Sequence, residues 1–252
     1  MKSWRPLKDF VKKHGLKHAL TEFGSRLHPR RIFSDYIYWY IYEPFIDWRM
    51  GVYTRGYIDE EYLELPTENH NPYMAVCPHD FNTAMKHVSI QPDMDVFMDY
   101  GSGLGRALIL ATRYPFKQII GVEISEKLNK WARENLEETN VKPLCSNVSI
   151  IAADAAAYEV PFDVTVIHIY NLAKGELLIK IFNKIHQSLL KTPRTITLLF
   201  THPDNFEPMA DQFPWAQPII KSPCWNASKC TIYTCSIPTT DPSLKLDDIA
   251  KI

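Results

Sequence analysis

The sequence predicts an α/β protein built on an open, doubly wound and mostly parallel sheet. Three observations predict it. From Asp95 onward short apolar runs alternate with amphipathic helical patterns, the runs are apolar at successive positions rather than every second one, and the first leads into a glycine-rich turn. Continuous apolar runs are what a parallel strand covered on both faces requires. Strand–helix alternation then imposes right-handed crossovers.

Taken in order, the runs are DVFMDY (95–100), QIIGVEI (118–124), VSIIAAD (148–154), VTVIHIY (164–170) and TITLLF (195–200). Between the second and third, SEKLNKWARENLEE places Leu128, Trp131, Ala132 and Leu136 on one helical face, with Ser125 as N-cap. Between the fourth and fifth, KGELLIKIFNKIHQSLL is a second amphipathic helix. AQPIIKS and KCTIYTCSI, separated by a short turn containing Pro, Cys and Asn, predict a terminal hairpin. DPSLKLDDIAKI reads as a surface strap or tail over 241–252.

Ahead of the sheet the texture differs. Residues 1 to about 30 read as basic helix, with Trp4, Leu7, Phe10 and Val11 at helical spacing and Lys8, Lys12 and Lys13 between them. An aromatic-dense run interrupted by Pro44 follows, and then a proline-punctuated stretch with one helical piece around Phe81–Val88. The expected organisation is therefore a helical N-terminal extension (1–65), a covering segment (66–94), an α/β domain (95–240) and a tail (241–252).

At 252 residues, 46% hydrophobic and 23% charged, the composition is globular and excludes collagen-like and disordered chains. The net charge of −1 hides an asymmetry: residues 1–31 hold nine Lys or Arg against Asp9 and Glu22, a net of +7 that leaves −8 for the remainder. That basic stretch is Lys-led and poor in aromatics beyond Trp4 and Phe10, which disfavours base stacking. Five cysteines without a CxxC pair favour free thiols in a reducing compartment, and Cys224, Cys230 and Cys235 are too widely spaced for a zinc site. No signal peptide and no stretch of 18 uncharged apolar residues is found, so a cytoplasmic location is expected.

The chemistry concentrates at Asp99-Tyr100-Gly101-Ser102-Gly103-Leu104-Gly105-Arg106. A strand enters a glycine turn that admits close backbone approach, and the following helix start offers free N–H donors. Glu123 ends the second strand and Asp154 the third, so acids converge on the crevice outside the carboxyl ends of the sheet. A dinucleotide would want GxGxxG, which fails here because position 106 is Arg, and Asp99 would repel a pyrophosphate. A phosphate-free, cationic nucleoside suits these charges, provided the strand tips leave room for it.

These residues resemble the class I S-adenosylmethionine-dependent methyltransferases over roughly Asp95 to Ile237, and more distantly the non-SET histone lysine methyltransferases, which share a DxGSGxG turn. The resemblance implies a Rossmann-like sheet of seven strands ending in an antiparallel hairpin. It implies that Gly101, Ser102 and Gly103 contact the methionine part of S-adenosylmethionine, Glu123 the ribose and Asp154 the adenine amino group. Asp99, Gly105, Ile124 and Ala155 complete the expected cofactor site, and Tyr73 lies in a segment that folds over the cofactor in resembling enzymes. Where amino-group methylases often carry [ND]PP[YF], this chain reads His168-Ile169-Tyr170-Asn171-Leu172-Ala173. Tyr170 and Asn171 keep the expected acceptor position, but without the proline and aromatic the acceptor, a protein lysine or a small molecule, stays open.

His168 reads as a hydrogen-bonded core histidine and His202 as a loop residue able to serve as a base. The aromatic run Tyr36–Trp48 is expected to pack on the catalytic domain and form part of the acceptor pocket. Asp35, Glu43 and Asp47 count against its lying on anionic lipid, although a peripheral membrane contact by the extension stays open. The alternative to an enzyme is a non-catalytic adaptor acting through residues 1–60. A nicotinamide oxidoreductase is disfavoured by the glycine spacing and Asp99. No metal is expected, and oligomeric state is not legible.

Overall fold

The computed structural model describes residues 37–59, 61–63, 69–223 and 229–237. The basic helix expected over 1–30, Cys224 in the hairpin turn and the tail over 241–252 lie outside them. The chain divides into two compact units, Met1–Trp48 and Arg49–Ile252.

In the first unit a π-helical turn, Tyr38–Tyr42, runs into helix α1, Glu43–Met50, which continues across the division. Pro44 interrupts nothing. The Glu43 N–H reaches back five residues to the Tyr38 carbonyl, and this widened turn receives a proline that has no N–H of its own to place.

The second unit opens with a short antiparallel ladder, β1 (Tyr57–Ile58) against β2 (Tyr73–Met74), and helix α2 (Pro78–Met85). Helix α2 begins earlier than the apolar pattern suggests because Pro78, pre-set for the helix and lacking an N–H, occupies its first turn. Then come β3 (Val96–Tyr100), α3 (Arg106–Ala111), β4 (Gln118–Glu123), α4 (Glu126–Glu138), β5 (Val148–Ala152), β6 (Val164–Tyr170), α5 (Gly175–Lys191) and β7 (Ile196–Thr201). Two 3-10 turns, Pro203–Asn205 and Glu207–Gln212, lead to the hairpin β8 (Ala216–Pro223) and β9 (Lys229–Cys235).

The seven strands stand in the order β5-β4-β3-β6-β7-β9-β8, parallel from β5 to β7 and antiparallel at β9 and β8. This is the Rossmann-like sheet with a terminal hairpin that the sequence implies. Strands β3, β4 and β6 are buried nearly throughout, as their unbroken apolar runs require, whereas β5 is an edge and only half-buried. On one face Met98, Tyr100, Ile167 and Ile169 meet Ile181, Phe182 and Ile185 of α5. Phe206 stacks on Phe182 with ring centroids 4.1 Å apart, which fixes the 3-10 turns to the same core. On the other face Phe81 of α2 lies edge-on to Phe97 and His168.

Helix α4 is rotated from its predicted face. Leu128 and Ala132 are buried as expected, but Trp131 and Leu136 are only half-buried and Asn129 and Asn135 take the interior positions. The reason is main-chain satisfaction. Asn129 donates to the Glu123 carbonyl at 2.9 Å, and Asn135 donates to the carbonyls of Leu104 (3.0 Å) and Tyr53 (3.1 Å) while accepting from Tyr53 N–H (2.8 Å). Asn135→Ala strands the three main-chain groups it serves. It is expected to lower the stability to urea by about 2–4 kcal/mol, with the slope of the unfolding transition unchanged.

Candidate active site

The sheet order lines up five strand tips along one edge, and each carries a residue singled out above. Asp154 follows β5, Glu123 ends β4, the glycine turn follows β3, Tyr170 and Asn171 close β6, and His202 follows β7.

The turn is built by main chain. Gly101 and Ser102 N–H donate to the Val122 carbonyl at 2.8 and 3.1 Å, and Gly105 N–H donates to Ser102 at 2.8 Å before starting α3. Gly101, Gly103 and Gly105 all take positive φ (72°, 53° and 83°), which explains the glycine at each position. The Ser102 side chain is buried against Gly121, and its hydroxyl has no partner among the described residues.

Glu123 is buried, and both its oxygens are in use. Oε1 accepts from Ser125 N–H at 2.8 Å and Oε2 from Gly103 N–H at 3.1 Å. Burial pushes its carboxyl above the usual range. The N–H groups of Ser125 and Gly103 oppose that shift, and the nearby Asp99 charge adds to it. One oxygen of Asp99 is held by buried His168 Nδ1 at 2.6 Å. His168 is thus the hydrogen-bonded core histidine that the sequence suggests, while its Nε2 has no partner among the described residues. Asp154 is exposed and accepts from Ala156 N–H at 2.8 Å, so it caps a turn.

The strand tips are more closed than the sequence reading anticipates. Leu172 lies on Gly101 and the Tyr73 ring on Gly103, so that a Cβ built on either glycine would collide with these side chains. A clasp holds Leu172 there. His70 bridges to Ala173, Asn71 N–H donates to the Leu172 carbonyl (3.3 Å), Lys174 N–H to Asn69 (3.1 Å), and Asn71 Nδ2 to Asn171 Oδ1 (3.2 Å). What remains between Gly101, Glu123, Ile124, Asp154, Ala155 and Leu172 is a crevice of about 20 Å³. That is room for about one water, not a nucleoside. An open groove of about 440 Å³ adjoins it and shares His70, Asp154 and Leu177 with it.

The chemistry of the crevice nonetheless fits S-adenosylmethionine. Its lining holds two carboxylates and no lysine or arginine, which suits a cationic, phosphate-free ligand.

Several residues here escape a reading of the sequence. Buried Arg106 donates from Nε to Thr54 Oγ1 (2.6 Å) and from Nη1 to the Val76 carbonyl (3.3 Å), while Tyr73 Oη donates to the Thr54 carbonyl (2.6 Å). Together they fasten the covering segment to the start of α3. Leu172 gives no sequence signal for its position, because only the folded clasp brings it to Gly101. His202 takes a left-handed conformation (φ 58°) with its ring edge-on to Tyr170, centroids 5.4 Å apart. Burial lowers its pKa while Asp204 and Asp80 push it back up, and Nε2 is buried with no partner among the described residues.

A family model described as a methyltransferase domain matches residues 92–230. This chain belongs to that methyltransferase family. Among solved structures, it is similar to an RNA methyltransferase from Salinibacter ruber in complex with S-adenosyl-L-homocysteine, with 22% identity over 68% of this chain and 97% of that one and a TM-score of 0.46. It is also similar to a putative S-adenosylmethionine-dependent methyltransferase from Methanococcus maripaludis, with 14% identity over 65% and 87% of the two chains and a TM-score of 0.48. No curated protein matches the sequence significantly. Among the described residues no helix is long and apolar enough to cross a membrane, and no cluster of side chains has the makings of a metal site.

Gly103→Val puts a branched side chain at positive φ and against the Tyr73 ring. It is expected to cost about 2–4 kcal/mol in urea unfolding. Measured in a Tyr73→Ala background, the cost of Gly103→Val should shrink by the part due to the collision, and the backbone part should remain.

Proposed function

We propose that the enzyme binds S-adenosylmethionine across the tips of β3, β4 and β5 and methylates an acceptor, a protein lysine or a small molecule, presented at the tips of β6 and β7. The observation that carries this reading is the order of side chains along the sheet edge: Asp154, Glu123, the glycine turn, Asn171, His202.

In this reading the carboxylate of Glu123 receives the ribose hydroxyls on the lone pairs left by Gly103 and Ser125, and Asp154 accepts from the adenine amino group. Ile124 and Ala155 flank the base. Main chain from Gly101 to Gly103, with Ser102 between, meets the methionine part. Gly105 lets α3 start close by, and Tyr73 closes over the turn. Asp99, with one oxygen on His168, offers its negative charge to the amino group from beneath. When bound, S-adenosylmethionine supplies a methyl group on a positively charged sulfur, already a good electrophile. The protein then has mainly to align the acceptor in line with it. Tyr170 and Asn171 position that acceptor. His202 Nε2, on an imidazole that burial keeps neutral, takes the proton that an ammonium or hydroxyl acceptor must lose.

The cofactor site is tested by titration calorimetry with S-adenosylhomocysteine. Binding is expected for the wild type, and Glu123→Gln should weaken it about 10–100-fold through loss of a charged acceptor. Wild-type affinity should hold above the raised pKa of Glu123 and fall as pH drops through it, while the Gln variant should be flat over that window. A folded wild type that does not bind would sink the reading. Leu172→Ala is expected to speed association in stopped-flow measurements by removing the side chain that covers Gly101. Stabilisation against heat by S-adenosylmethionine but not by NAD separates this function from an oxidoreductase. Methyl-tritium labelling of a cell extract, followed by sizing of the labelled product, distinguishes protein from small-molecule acceptors.

A further inference from the structure

Helix α1 is turned the opposite way from an ordinary surface helix. Its two acids, Glu43 and Asp47, are 1% and 2% exposed, while Ile41, Phe45 and Trp48 are 57%, 49% and 75% exposed. Those three fall at i, i+4 and i+7 and form one stripe across the π-helical turn and α1. Tyr40, 70% exposed, extends it, and the Phe45 and Trp48 rings lie 5.9 Å apart. The charge of Glu43 is engaged internally, where Oε1 accepts from Tyr38 Oη at 2.7 Å. Glu43 and Asp47, two of the acids that count against a lipid contact in the sequence, are therefore absent from the outward stripe, Asp35 lies outside the described residues, and the exposed basic residue Arg49 closes the helix.

We infer that this face of α1 docks the enzyme on an anionic lipid surface. The composition of the stripe suits an interface: Phe45 and Ile41 supply apolar bulk for the acyl boundary, and Tyr40 and Trp48 pair an apolar ring with a polar handle for the headgroup level. The charge that would hold it there lies immediately upstream, where residues 1–31 carry a net +7 in a chain whose remainder is −8. Juxtaposed basic segments bind acidic headgroups and release them as salt rises.

The test uses the full chain and sedimentation with vesicles of phosphatidylcholine alone or with phosphatidylserine. Pelleting is expected only with the phosphatidylserine vesicles and should weaken with added salt. The triple variant Ile41→Ser, Phe45→Ser, Trp48→Ser should lower partitioning by about tenfold or more, with its thermal midpoint and its calorimetric response to S-adenosylhomocysteine matching the wild type. As a second readout, brominated phosphatidylserine should quench the tryptophan fluorescence of the wild type and quench that of Trp48→Phe less. Failure to pellet with either vesicle, or equal pelleting of the triple variant, would overturn the inference. So would light scattering that shows a wild-type dimer and a monomeric variant, since the stripe would then be a contact between copies.

Discussion

The carboxylate of Glu123 is the joint on which the site is built. It sits at the end of β4, takes the Gly103 N–H on one oxygen and the Ser125 N–H on the other, and so ties the turn after β3 to the first turn of α4. A charge this deeply buried is tolerable only when charge-assisted hydrogen bonds replace the lost water. Two main-chain donors meet that need without side-chain entropy. The same bonds fix where the glycine turn lies relative to the β4 tip, and that spacing sets the distance between the proposed sugar and methionine positions. A site whose parts are set by main chain is rigid before any ligand arrives.

Against this rigid floor stands a cover that the proposed ligand would have to displace. Tyr73 and Leu172 lie where a ligand would meet Gly103 and Gly101, and the clasp that holds Leu172 consists of a few main-chain bonds and one amide pair. Such bonds are each worth about 1 kcal/mol net, whereas the sheet beneath is continuous and buried. Opening is therefore local, and a ligand shifts it only by the difference in its affinity for the open and closed arrangements. Tyr73 is held more firmly than Leu172, because its hydroxyl shares Thr54 with the buried guanidinium of Arg106. The easier displacement is on the Leu172 side, towards the groove beside Asp154.

Much of this was legible in the sequence wherever the signal is local. The strands β3 to β9, the cap at Ser125, the glycine turn and the acids at the tips of β4 and β5 each follow from a short run of residues. What escaped depends on partners far along the chain. Asn129 and Asn135 look like surface residues of α4 until the carbonyls of Glu123, Leu104 and Tyr53 are brought to them, and hydrophobic periodicity has no way to register a polar group that main chain will satisfy. Asp99 reads as a ligand's acid because it stands just ahead of the glycine turn, and nothing nearby in the sequence hints at a second partner. The partner of one of its oxygens, His168, is 69 residues away on an adjacent strand. The inverted face of α1 was hidden for a related reason: sequence gives the stripe of aromatics but not which side of it the solvent takes.

The proposed acceptor end of the site differs in kind from the cofactor end. Among the described non-glycine residues three have positive φ: Asp93, in the turn ahead of β3, and Asn171 and His202, which follow neighbouring strands. Asn171 N–H donates to the Thr201 carbonyl at 3.3 Å, so the two departures from ordinary backbone sit side by side. A left-handed conformation outside glycine costs about 1 kcal/mol or more and persists only where the surroundings over-determine it. Glycine at either position would relieve that strain but would remove the side chain. In place of glycine stand an amide, engaged by Asn71, and an imidazole whose Nε2 has no partner among the described residues. At β3 the backbone is bent so that side chains are absent; at β6 and β7 it is bent so that they are present. That contrast supports the proposed division of labour, with main chain open to close approach at the proposed cofactor end and polar side chains held at the proposed acceptor end.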